Sequence, residues 1–442
     1  MNDKRKPIKR KGRVPHKKLN MKNTGKHIHN DVQKSKIKQE DPSKKPVISL
    51  NQRIQEFKAS GLTLLKGKKG NDANKFKIKW VVLLAVVVVV ITCVLVIANA
   101  PTGIVEYIST KAAMAKSGES FPVSYDFSTG GDITYSNSSV IVSTENDIKC
   151  YNRTGNLIYS RNHGFAEPIV KTSEIRTLVY GANDSRYRIE TAEKEVINKK
   201  TEDNSAIITA DISDCGVYAL VTESNEDISL VTVYDKNGSK IYEYHSANNY
   251  ITGVSISENG KEMCVVALST SQAEFVSKII IFDLSDSEPF FEKELKGEVV
   301  YVAEYSNSKD ICIITDKQYF NLKNDKTSNN LAYNPEFLNK FEISDDYILL
   351  YNTADSNSLS GNIYVLSKKG NIKASFSIEG NVSDVSVSDG SIYTLGEKVN
   401  EYNFDGEIIK STEINNGAVK LSACESGVMV LYSSGIDFIK EG

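Results

Sequence analysis

Ser257-Glu-Asn-Gly-Lys-Glu-Met-Cys-Val-Val-Ala267 joins a tight turn to an apolar run. Asn-Gly is the strongest short signal for a two-stranded hairpin, because glycine takes a positive φ at no steric cost. The run that follows has no alternation of polar and apolar residues, so as a strand it must be covered on both faces. The same unit recurs along the chain. Ser136 precedes Val140-Ile-Val142, Ser173 precedes Leu178-Val-Tyr180, and Ser213 precedes Tyr218-Ala-Leu-Val221. Ser306 precedes Ile311-Cys-Ile-Ile314, Ser344 precedes Ile348-Leu-Leu350, and Ser388 precedes Ile392-Tyr393; Cys424 to Gly427, before Val428-Met-Val-Leu431, is a weaker eighth copy. Successive serines are 37, 40, 44, 49, 38 and 44 residues apart. That interval matches the roughly 40–45 residues of a four-stranded propeller blade.

A second marker falls later in each unit. Tyr151-Asn-Arg-Thr-Gly155, Tyr234-Asp-Lys-Asn-Gly238, Leu366-Ser-Lys-Lys-Gly370 and Tyr402-Asn-Phe-Asp-Gly406 each place a glycine four residues after an apolar one. Two hairpins per unit make four antiparallel strands, and the expected fold is an all-β propeller. The 322 residues from Phe121 onward give about 40 per blade for eight blades and about 46 for seven. The turn count favours eight, with seven as the alternative. The last unit holds three strands at most, and Phe121-Pro-Val-Ser-Tyr-Asp-Phe127 is expected to supply its fourth strand and close the ring, removing open sheet edges.

The propeller, residues 119–442, is preceded by three different regions. Residues 1–79 carry a net charge of +18 and the remainder −20, so the overall −2 hides two regions suited to different surroundings. Trp80–Ala98 is one apolar run without charge, long enough to span a bilayer as a helix, and residues 80–100 are expected to form one transmembrane helix. Lysines 66, 68, 69, 75, 77 and 79 precede it, whereas Lys111 and Lys116 follow. The positive-inside rule then puts residues 1–79 in the cytoplasm and the propeller outside, in a single-pass membrane protein. The basic tail has no hydrophobic period and reads as disordered, apart from a short helix over 50–60. Its charge suits anionic lipid; nucleic acid is disfavoured because no aromatic residue interleaves the lysines before Phe57. Residues 101–118 are expected to be a juxtamembrane helix or linker, with Thr102–Ser117 helical.

Phe121-Pro-Val123, Asn152-x-x-Gly155, Tyr159-Ser-Arg-Asn-His-Gly164, Pro168 and Tyr187-Arg188 together resemble an uncharacterised family of Gram-positive bacterial proteins. Its members combine a basic tail, one membrane span and a propeller-like ectodomain. The resemblance covers roughly residues 75–442 and implies an envelope location, with no activity or catalytic residue. Ser257–Lys261 is also similar to hairpins of TolB-like and WD-type propellers, an analogy of fold alone.

No catalytic residue, metal site or cofactor is expected. His163 and His245 are the two histidines beyond the span, in different units; no Gly-x-Ser-x-Gly, His-Glu-x-x-His or phosphate loop occurs. Cys150, Cys215, Cys264, Cys312 and Cys424 match no metal spacing and read as buried free thiols. Glu223, Glu226 and Asp227, and Asp355 with Asn357, lack the density of a calcium loop and read as solvated rim. A non-catalytic binding or scaffold module for a protein, peptide or envelope component is therefore expected, with a propeller hydrolase or lyase whose active site lies on the long-loop face as the alternative. In a blade, the turns between strands one and two and between three and four share one face. The longer segments Gly181–Ser185, Thr222–Asp227, Ser269–Phe275 and Asn352–Ser360 share the other, and such loops usually carry binding. Arg161, His163 and Arg188 lie near that face and are the candidate ligand contacts.

Overall fold

The computed structural model describes residues 81–90, 103–115, 121–124 and 132–442, the last apart from 137–138, 145, 324–325, 334, 389 and 425. The basic tail, the helix expected over 50–60, Trp80 and residues 91–102 lie outside the described residues. Residues 81–90 are helical and exposed. Among the described residues no helix is long and apolar enough to cross a membrane.

The described residues form eight four-stranded antiparallel sheets, which settles eight blades over seven. Their first strands are Asp132–Ser136, Pro168–Thr172, Ile207–Ile212, Tyr250–Ile256, Val300–Tyr305, Phe337–Ile343, Asp384–Ser388 and Ala418–Cys424, and these define blades 1 to 8. First strands of neighbouring blades approach one another at most of the seams, including that of blades 8 and 1, and surround a central lumen.

The apolar runs are second strands, and their even burial has a simple cause. In blade 4, Met263, Val265 and Ala267 face a cluster shared with blade 3, while Cys264 and Val266 face a cluster shared with blade 5. Alternate side chains thus enter opposite seams. Eight such clusters occupy the eight seams. The eighth joins Met429, Leu431 and Ile436 of blade 8 to Ile133, Val140 and Val142 of blade 1.

The recurring serine staples the first turn of its blade. Ser257 Oγ accepts the Glu262 N–H at 2.8 Å, and Gly260 closes the turn with φ +68°. Ser213 and Ser306 instead donate to the carbonyls of Val217 and Asp310, at 2.9 and 3.0 Å.

Closure takes the expected form. Val123–Ser124 pairs antiparallel with Gly435–Lys440, placing Val123 opposite Ile436, and gives blade 8 its fourth strand. Residues 125–127 of the expected closing segment lie outside the described residues. The helix expected over 102–117 spans Gly103–Met114. One loop differs from expectation. Ser269–Phe275 is the tip of a hairpin whose ten-residue strands, Glu262–Ser271 and Glu274–Asp283, turn at Gln272 and Ala273, both with positive φ.

Candidate functional site

The helix Gly103–Met114 lies on the tight-turn face. Arg176, in the first turn of blade 2, donates to Glu106 Oε2 from Nη2 (2.8 Å) and Nε (3.2 Å), and to the Lys236 carbonyl from Nη1. The ion pair is buried. Asn152 Nδ2 donates to the Met114 carbonyl at 3.2 Å, and Lys111 lies 3.6 Å from Glu174. Lys111 also borders a lumen cavity of about 440 Å³ lined by Glu342, Asp384 and Lys420. The helix therefore reaches the tight-turn mouth of the lumen.

A second cavity, about 310 Å³, continues the lumen along Thr134, Lys171, Asp211, Ser255, Tyr301 and Glu304. The residue two before the repeat serine is polar in every blade: Thr134, Lys171, Asp211, Ser255, Glu304, Glu342, Ser386 and, before Cys424, Ser422. Several of these accept a main-chain N–H from the first strand of the next blade. Asp211 Oδ2 accepts Ile256 N at 2.8 Å, Ser255 Oγ accepts Tyr305 N at 3.2 Å, Glu342 Oε2 accepts Val387 N at 2.7 Å, and Ser386 Oγ accepts Ala423 N at 2.8 Å. A first strand has a sheet partner on one side only, so the N–H groups on its other edge need acceptors from elsewhere. Polarity at this register was visible in the sequence.

Burial sets the electrostatics of this ring. It pushes the Glu342 carboxyl up to about 7, against the hydrogen bonds from Ser386 and Val387. Burial likewise raises Asp211, opposed by Lys171, and Asp384, opposed by the Leu421 N–H. Enclosure alone would lower the Lys171 ammonium, but Asp211 and Glu304 outweigh it and the net shift is upward. The side chain is open to solvent within the lumen while protein surrounds it.

At the long-loop mouth, first strands carry a bulge at one shared position. The inserted residues are Ile208, Thr252, Tyr301, Asn339 and Val419, in blades 3, 4, 5, 6 and 8. Bulges re-aim side chains and recur beside binding sites. Tyr301 and Val419 are exposed here.

Arg161, His163 and Arg188 are turned inward. Arg161 Nη1 lies 3.1 Å from Glu190 Oε2 and also donates to the Thr191 carbonyl, while Nη2 donates to that of Ala192. Arg188 Nε lies 2.5 Å from Glu190 Oε1, and Nη1 donates to the Asn162 carbonyl. Glu190 is fully buried, and burial raises its pKa against the pull of Arg188 and Arg161. These two arginines thus clamp blade 1 to blade 2. His163 is not part of the clamp. Its Nδ1 accepts the Phe165 N–H at 3.0 Å, so Nε2 carries the proton donated to the Thr144 carbonyl at 2.9 Å. Of the five cysteines among the described residues, Cys150, Cys264, Cys312 and Cys424 are buried, but Cys215, expected to be buried, is exposed because it sits in a first turn. Burial pushes the Cys150 and Cys312 thiols up to about 12, which makes them poor nucleophiles. His245 Nδ1 lies 2.8 Å from Asp227 Oδ2 on the long-loop side of blade 3.

Eight closed blades around a polar lumen define the class: an eight-bladed β-propeller. Within that class the chain belongs to DUF5711, a family of unknown function, which matches residues 115–440. No curated relative matches it in sequence. Among solved structures, BamB from Moraxella catarrhalis is similar at 11% identity and TM-score 0.47, over 73% of this chain and 97% of that one. The hydrazine synthase of Kuenenia stuttgartiensis is similar at 12% and 0.42, over 74% and 99%. The Cps50 (Swd1) β-propeller domain of Myceliophteria thermophila is similar at 8% and 0.43, over 74% and 100%.

Proposed function

We propose that this chain is a membrane-anchored, extracytoplasmic β-propeller that binds an envelope protein or peptide without catalysis. The observation that carries this reading is the helix Gly103–Met114. It begins within five residues of Ala98, the end of the apolar run, and the buried Arg176–Glu106 pair docks it on the tight-turn face. A chain tethered there presents its long-loop face away from the membrane. The test uses a membrane-impermeant thiol reagent on intact, wall-stripped cells, in a Cys215→Ser background. Leu359→Cys is expected to label at once and Ser35→Cys only after permeabilisation. The reverse order would overturn the topology.

One observation favours a hydrolase or lyase instead: Glu342, raised to about 7, borders the lumen in the range suited to acid–base work. Both of its oxygens, however, are engaged by Ser386 and Val387 of the next blade. The same register does the same job in blades 3, 4 and 7, so stitching accounts for Glu342. The enzyme reading requires product release from envelope extract by the purified chain, abolished in Glu342→Gln. No product would sink it.

A further inference from the structure

We propose that the long-loop face over blades 4 to 6 docks a cationic polypeptide segment bearing apolar side chains. The inference rests on the binding-module reading and names its partner chemistry. Two observations carry it. The first is apolar exposure. Tyr250, Phe275, Tyr301, Phe337 and Leu359 are 53% to 68% exposed, and all lie at strand starts or loops of this face. Tyr301 stands on a bulge at the lumen mouth, and Phe275 lies near the tip of the projecting hairpin, where its carbonyl accepts the Gly297 N–H. Exposed aromatic residues of this kind are the usual energetic anchors of an interface.

The second observation is charge. In the described loops of the long-loop face, eleven carboxylates stand against one cation, Lys317. In those of the tight-turn face, eleven stand against eight cations. The two faces carry equal acid, yet one alone lacks the compensating lysines and arginines. Strand residues neutralise part of this: Arg186 pairs with Asp184, and Lys240 with Glu202. Both pairs lie over blades 2 and 3. Around the aromatic side chains the loops supply Glu298, Asp316, Glu336 and Asp355 against Lys317, and the flanking strand ends add one residue of each sign, Glu274 and Lys296. Aromatic faces attract Lys and Arg side chains, and a carboxylate rim steers them in. An acidic partner would be repelled and a wholly apolar one would leave the rim uncompensated.

The test uses the full chain in nanodiscs and a labelled Lys/Leu/Tyr peptide, with its Glu-for-Lys counterpart as control. Phe275→Ala with Phe337→Ala is expected to weaken peptide binding at least about tenfold. Asp405→Lys with Glu407→Lys, on the tight-turn face, is expected to change it less than about twofold. Equal losses in the two variants, or binding of the Glu peptide, would overturn the proposal. In cells, a photo-crosslinker at Phe275 or Phe337 is expected to capture a segment of net positive charge. Capture from Glu407 alone, or of an acidic segment, would keep the binding reading and overturn this face. Capture from no position would overturn both.

Discussion

Glu342 ties one side chain to the behaviour of the whole lumen. A carboxyl whose pKa is higher folded than unfolded holds its proton more tightly in the native state. Its contribution is therefore complete below the model-peptide value of 4.5 and lost as pH rises to about 7. The size of that loss is no more than about 3 kcal/mol. Asp211, Asp384 and Glu190, all raised by burial, slope the same way. Glu342→Gln removes one titrating group and keeps an oxygen for Val387 or Ser386. Urea unfolding at pH 5 and pH 7.5 is expected to show a smaller fall for this variant than for the native chain. Identical falls would show that Glu342 does not titrate in this window. The polar position of Glu342 could be read from the repeat, but its proton affinity could not. That depends on how tightly blades 6 and 7 close around it.

At the scale of elements, the turn-and-strand unit was legible because its causes are local. Ser257, Gly260 and the run through Ala267 lie within eleven residues. The closing strand was legible for a different reason: the last unit lacked a partner, and an open edge is costly. Two paired residues make the seam, with Phe121 and Val123 packed on the cluster that holds Ile436. Gly435 admits the Val123 backbone so closely that an added Cβ would collide with the Val123 carbonyl oxygen. Gly435→Ala is therefore expected to force the seam apart and expose the edge of Gly435–Lys440. Hydrogen exchange should then accelerate in that strand and its neighbour. Unchanged protection there would show that the seam tolerates the methyl. The hairpin at Gln272–Ala273 was not legible, because neither residue signals positive φ.

For the molecule as a whole, every apolar cluster spans two blades, so no blade has a core of its own. Ring closure adds the eighth seam and leaves no terminal unit from which to fray. Thermal unfolding followed by tyrosine fluorescence and by circular dichroism is expected to give one coincident transition. Separate transitions would mean that groups of blades fold alone. The sequence by itself determined the all-β repeat, the blade length and the closing segment, because these follow from turn chemistry and from apolar runs that demand cover. It also determined the split of charge along the chain. The tertiary structure alone decided what each polar side chain faces. Arg161 and Glu190 are 29 residues apart and meet because their blades are neighbours. The acidic long-loop face gathers loops from blades spread over the whole repeat array. Proximity of this kind is set by the closure of the ring, and no local pattern encodes it.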